Sequence, residues 1–262
     1  MATRNSMGLR NFLLAEGSEA RAFSGGIIEL RSGPQPASPN NAATGTLLGT
    51  ITLAGGAHTK EVKAIGTVQL TGGASGNISS ITINSIEVLG ATVTYSASLA
   101  ATADLIVAQI NRYQTKTGVE YTATSDGTAT PTISITPILG VGALANGWVV
   151  ASTASTLTKT DGNMAGGVTA VNGLSYEAVA SGVLAKSTLE AWSGTWVASG
   201  TIGHFRMKAA VVDADAASQT LLRKDGTVTS TGGGGDVEIT STAVTSGAPF
   251  TVTSFTISAP EA

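Results

Sequence analysis

Apolar positions along the first fifty residues switch from helical to alternating spacing. Residues 6–16 place Leu9, Phe12 and Leu13 on one face, a short amphipathic helix that Gly17 can end. Residues 26–53 then read GIIELRSGPQPASPNNAATGTLLGTITL. Ile27, Ile28 and Leu30 begin a strand, and Leu47, Ile51 and Leu53 repeat at even spacing in a second one. Pro34, Pro36 and Pro39 with Asn40 and Asn41 exclude regular structure between the two. Residues 54–57 (AGGA) form a flexible break.

The pattern changes over 61–167. Residues 62–70 alternate, Gly72, Gly73, Gly76 and Asn77 mark a turn, and 78–88 predict a strand that turns near Asn84 and Ser85. Val93 and Tyr95 belong to the next strand. One long helix follows, with Thr102 as N-cap, Asp104 in its first turn, and Leu105, Ile106, Ile110 and Tyr113 on its apolar face. Gly118 closes it. Strands at 119–124 and 132–136 flank a turn at Asp126–Gly127, and 140–152 add an apolar segment anchored by Trp148.

From Val168 onward the signals are β again. Strands are expected at 189–197 and 202–210, then a hairpin turning on Lys224, Asp225 and Gly226 between Leu221–Leu222 and 227–229. A glycine loop at 231–235 precedes strands at 237–240 and 250–257. In the last strand parity breaks at Ser254, which predicts a bulge. The partial likeness of 48–56 to 66–73 is too short to define a repeat.

Composition narrows the class. Hydrophobic residues are 42% of 262, enough for a core and for one or two domains. Charged residues are only 12%, against the usual quarter or so, and there are 33 glycines. A mean hydropathy of +0.24 with net charge −3 argues against disorder. The same balance offers nucleic acid no electrostatic footprint. Without cysteine there is neither disulfide nor thiolate metal site. No signal-peptide layout opens the chain, and no apolar run approaches the roughly 18 residues of a membrane helix. The expectation is synthesis in the cytoplasm without export by an obvious route.

Candidate chemistry is sparse. His58 and His204 lack the partners of a catalytic or metal centre. Asp213 and Asp215 pair carboxylates that can bind a hard cation, but a solvated loop is the expectation. Gly232 to Gly235 before Asp236 lack the Lys-Ser/Thr of a phosphate cradle. Trp192, Trp196 and Tyr176 suit core or subunit packing better than a sugar platform. No catalytic, cofactor-binding or metal-ligating residue is assigned, and no cofactor is expected.

Taken together, the ends of the chain resemble a family of small tailed-bacteriophage virion proteins. The carriers are Gly25–Gly26–Ile27, Ser32–Gly33–Pro34–Gln35–Pro36, and Ala42–Ala43–Thr44–Gly45–Thr46–Leu47–Leu48. They continue with Gly203 and Phe205–Arg206, Asp225–Gly226–Thr227–Val228, Gly234–Gly235–Asp236–Val237, and TVTSFT at 251–256. The match covers residues 8–57 and about 185–258, roughly half of the chain. Compact members run directly from the first strands to the later ones, whereas here about 110 residues intervene. The intervening part is similar to a motif of flagellar hook-associated and other phage structural proteins, through Ile81–Thr82–Ile83–Asn84, Ala108–Gln109–Ile110–Asn111 and Thr117–Gly118–Val119.

The expected fold is therefore mainly β. It is a split antiparallel β-sandwich over 1–60 and 168–262 with an N-terminal helix, interrupted at a loop by a small α+β domain over 61–167 that contains one helix. The resemblance implies a non-enzymatic virion protein, of the head decoration, cement or head-fibre kind, packing on capsid and on copies of itself. The implied partners are other virion proteins, major capsid or tail, with no nucleic acid and no membrane. A tail component (tube, adaptor or fibre base) is the near alternative. A glycan-binding host-recognition module is a further one, its enzymatic version disfavoured because the sparse acidic residues fall mostly in expected turns.

Overall fold

The computed structural model describes residues 3–113, 120–252 and 254–258. The chain is mainly β, a sandwich-like arrangement of several antiparallel sheets with three α-helices. It divides into two compact units, Met1–Glu61 with Ala170–Ala262, and Val62–Thr169.

In the first unit, one sheet runs in the order Arg4–Asn5, Arg223–Ser230, Gly200–Lys208, Ile27–Ser32, Leu47–Leu53, Trp192–Thr195, Pro249–Val252. Val237–Ile239 joins Arg223–Ser230 in parallel, and Ala243–Val244 pairs with the start of Gly200–Lys208. A separate ribbon pairs Val183–Ala185 with Thr256–Ser258. Ile27–Ser32 and Gly200–Lys208 lie in the middle of the sheet, and both of their faces are covered. On one face Ile28, Leu30, Phe205 and Met207 are buried, and Phe255 meets Phe205 edge-on at 6.0 Å between ring centres. Trp192, fully buried, touches Phe255 and stands edge-on to Tyr176. The opposite face carries charged residues instead.

Two helices precede the sheet. Ser6 caps Met7–Ala15 by accepting from Leu9 N at 3.1 Å, while its own hydroxyl donates to Leu221 O at 2.8 Å. Gly8 lies so close to the chain at Thr220 that a Cβ would fall 2.3 Å from its carbonyl oxygen. Glu19–Phe23 is a second, shorter helix that periodicity did not signal.

In the second unit, one sheet places Asn77–Ile83 between Val150–Ser155 and the short strands Ile86–Glu87 and Val93–Thr94. The other runs Thr158–Ala165, Ile65–Gly72, Thr132–Pro137, Tyr121–Ser125. Val68, Leu70, Ile81, Ile83, Ile133 and Ile135 share a core with Ile106 and Ile110 of the helix Leu99–Arg112. Asn84 and Ser85 both take positive φ (48° and 68°), the backbone a tight two-residue hairpin requires.

Several expectations are corrected. The long helix starts four residues earlier than expected. Ser98 is its N-cap, accepting from Ala101 N at 3.1 Å, and Thr102 is buried in the first turn, donating to Ser98 O. The buried face is Thr102, Ala103, Ile106 and Ile110; Leu105 and Tyr113 are substantially exposed, and Asp104 lies beyond the first turn. The expected closure at Gly118 and the Thr117–Gly118–Val119 part of the motif lie outside the described residues.

The expected hairpin at Asp225–Gly226 does not form. Arg223–Ser230 is one continuous strand, because Asp225 is held by an ion pair to the adjacent strand and Gly226 lets Phe205 lie against the backbone. Residues 250–257 are not one bulged strand. Pro249–Val252 pairs with Trp192–Thr195, and Thr256–Ser258 crosses to the ribbon with Val183–Ala185. Leu189, expected in a strand, is almost wholly exposed ahead of Trp192–Thr195.

Candidate functional site

The charged face of the first sheet is built from residues two apart on neighbouring strands. Such residues point the same way, so Glu29 and Arg31, Arg206 and Lys208, and Arg223 and Asp225 share one face. Asp225 receives two parallel hydrogen bonds from Arg206, both 2.8 Å, and neither side chain is exposed at all. Glu29 takes Arg31 at 2.8 Å and Lys208 at 2.5 Å.

The covering loop 209–222 supplies the remaining carboxylates. Asp213 is held by a two-pronged pair with Arg223, at 2.6 and 2.5 Å. Asp215 lies 2.7 Å from Arg31, 2.6 Å from Lys208 and 3.7 Å from Arg206. Four cations thus face four carboxylates, and the layer is electrically neutral.

Two of these cations, Arg206 and Arg223, together with Arg4, fasten the proline loop 33–46. That loop has no ladder partner for most of its carbonyls, and buried backbone oxygens need donors. Arg223 Nη1 donates to Pro39 O and Asn41 O at 3.3 and 3.4 Å, Arg206 Nη1 to Asn41 O at 3.3 Å, and Arg4 to Pro36 O and Ala37 O. Ala43 N donates to Asp215 O at 2.9 Å, tying the two loops together. Asp215 has φ of 61°, a left-handed conformation that its short polar side chain tolerates.

Electrostatics follow from burial and these partners. Burial alone would raise the Asp213 carboxyl, but the Arg223 hydrogen bond and the Asp215 N–H outweigh it and hold Asp213 below the usual carboxylate range. For Arg206, burial opposes the charge while Asp225 favours it, and the guanidinium is held more firmly protonated than usual. His204 is wholly buried beside the layer, and burial lowers its pKa, keeping the imidazole neutral. Its Nδ1 is 3.1 Å from Gly33 O; only a protonated Nδ1 can make that contact a hydrogen bond.

The residues singled out by sequence are therefore dispersed. Asp213 and Asp215 do lie together, but as ion-pair partners rather than in the expected solvated loop: their side chains are 5% and 23% exposed. His58 is far along the chain from His204 and contacts Gly25 O at 2.9 Å through Nε2. Asp236 accepts from Thr227 N and its hydroxyl, each at 2.8 Å, while Gly232 and Gly234 donate to the Glu238 carboxylate at 3.0 and 2.9 Å. The glycine loop thus wraps a carboxylate of the chain itself.

Trp192 is a core residue, donating from Nε1 to Glu190 at 2.9 Å, and the half-buried Tyr176 packs edge-on against it. Trp196 stacks on Phe250 at 4.0 Å, and a Cβ on Gly49 would fall 2.7 Å from its ring. Trp196 is buried, so its ring offers no open platform for a sugar. Among the described residues no group of His, Asp or Glu is placed to hold a metal, and no helix is long and apolar enough to cross a membrane.

Sequence reasoning missed the ion layer, although its signal was present. Glu29-x-Arg31, Arg206-x-Lys208, Asp213-x-Asp215 and Arg223-x-Asp225 are four charged pairs at spacing two, in a chain only 12% charged. In strands that spacing selects one face.

What fold and site define is a mainly-β protein whose most elaborate arrangement is a neutral, buried ionic clamp. Comparison of the chain with protein-family models, curated proteins and solved structures gives no match.

Proposed function

We propose that the protein is a non-enzymatic structural component of a tailed-bacteriophage particle, carried on the head exterior as a decoration, cement or head-fibre protein. One observation carries this reading. The sequence pieces that resemble virion proteins converge on the ion layer: the 32–48 segment covers it, Phe205–Arg206 supplies its central guanidinium, and Asp225 its most buried carboxylate. These residues therefore do architectural work, fastening loops to a sheet. Every charge in the layer is spent on another, so none is left poised as acid, base or nucleophile. A protein acting by packing on capsid and on its own copies needs such a rigid frame and no reactive group.

The test is mild heating of particles with and without this protein, following DNA release. Particles lacking a cement protein release DNA at lower temperature; equal release in both would reject the cementing role. Loss of tail attachment with intact heads would reassign the protein to the tail.

A further inference from the structure

A cleft of about 750 Å³ opens in the first unit between the helix Met7–Ala15, the strand Arg4–Asn5 and the 37–39 turn. Its size is that of a binding site rather than a surface dimple. Three cations line it, Arg4, Arg10 and Lys224, against one carboxylate, Glu19, so the walls carry two positive charges in a chain of net charge −3. Two of the cations are already engaged. Lys224 pairs with Glu19 at 2.7 Å, and Arg4 Nη1 is used on Pro36 O and Ala37 O. Arg10 differs: it is exposed, and among the described residues its side chain has neither a hydrogen bond nor an ion pair. Leu13, one turn further along the helix and half-buried, makes the wall partly apolar, while Pro39 lines the cleft but is itself buried.

We propose that this cleft docks an acidic, partly apolar segment of a neighbouring protein, with Arg10 taking a carboxylate and Leu13 receiving an adjacent aliphatic side chain. Charge complementarity selects the sign of the partner, and the apolar walls select its kind. A nucleic-acid backbone would bring phosphates alone, and would meet the Glu19 carboxylate with nothing to bury against Leu13. A peptide offers both charge and aliphatic surface. This inference gives the reading above a contact surface, but the cleft exists in the free protein and can be tested apart from any particle.

The experiment uses the full chain and a fluorescein-labelled peptide of alternating glutamate and leucine, followed by anisotropy at low ionic strength. The expected result is saturable binding that weakens with salt and falls by about tenfold in Arg10→Glu, while Arg10→Lys retains most of it. Unchanged melting of Arg10→Glu keeps the comparison free of folding effects, since Arg10 holds nothing in place. No binding, or binding equally strong in Arg10→Glu, would overturn the proposal. So would tighter binding of a single-stranded DNA oligonucleotide than of the peptide. Failure here with heat-sensitive particles lacking the protein would remove the cleft and leave the structural role standing.

Discussion

The side-chain amide of Asn111 completes the backbone of Ala123. Asn111 Nδ2 donates to Ala123 O at 3.0 Å, and Ala123 N donates to Asn111 Oδ1 at 2.8 Å. Among the described residues Tyr121–Ser125 has a partner strand on one side only, which leaves backbone groups on its other edge to be met in another way. The helix Leu99–Arg112 lays one amide against that edge and imitates a strand residue. Asn146 does the same for Gly167, at 2.9 and 2.8 Å. Removing the amide in Asn111→Ala leaves a donor and an acceptor without partners, at a cost of about 1–3 kcal/mol. Urea unfolding should show that loss, and the Ala123 amide should exchange its hydrogen markedly faster than in the parent protein.

Arg206 and Asp225 make the sharpest case for the ion layer as a clamp. With both side chains fully buried, removing one leaves the other charged and unpaired. Asp225→Ala should destabilise the protein by about 3–5 kcal/mol, while replacing both by apolar residues of similar volume should recover much of the loss. Denaturant unfolding of the single and double variants measures both. Additive losses would mean that the two side chains act independently.

Acid should weaken the protein in two stages. The folded-state pKa of His204 is lowered, chiefly by burial, so the unfolded chain binds a proton first as pH falls. Stability from this group is complete above the unfolded value of about 6.5 and declines below it. Asp213 is also held low, where burial opposes but Arg223 prevails, so its contribution is complete above the unfolded value of 3.8 and is lost below it. Melting temperature measured from pH 8 to pH 3 should fall in both windows. In His204→Gln the upper decline should vanish and the lower one persist.

Gly226 interrupts a run of larger side chains so that Phe205 can lie against the strand. A Cβ there would fall 2.5 Å from the Phe205 ring and 2.9 Å from the Asp236 carboxylate, both packed in place. Gly226→Ala should therefore cost about 1–3 kcal/mol through crowding, visible as a lower melting temperature. Gly127→Ala offers a control of another kind: its surroundings are open, but its φ of 67° should make any cost one of backbone strain.

Much of the strand layout was legible because alternation reports which side of a strand meets a core. Ile27–Ser32, Leu47–Leu53, Asn77–Ile83 and the Asn84–Ser85 turn all follow from it. Two local signals misled. Asp225–Gly226 has the composition of a hairpin turn, yet the Arg206 pair and the Phe205 ring override that preference within a strand. Thr102 is a good capping residue, but Ser98, four residues earlier, already holds that place.

The candidate site was hidden for a different reason. Its charged residues come from segments nearly two hundred positions apart, as in Arg31 with Asp215, and only the sheet register and the loop laid over it bring them together. Nothing in the alternation along these strands shows that two covering loops make their second face an interior.

The most direct measurement of the structural account is the copy number of this protein in density-banded particles, by quantitative mass spectrometry against the major capsid protein. A head decoration or cement protein should be present at hundreds of copies, in fixed ratio to the capsid protein. A dozen copies or fewer would move it to the connector, baseplate or fibre, and absence from banded particles would contradict the account altogether.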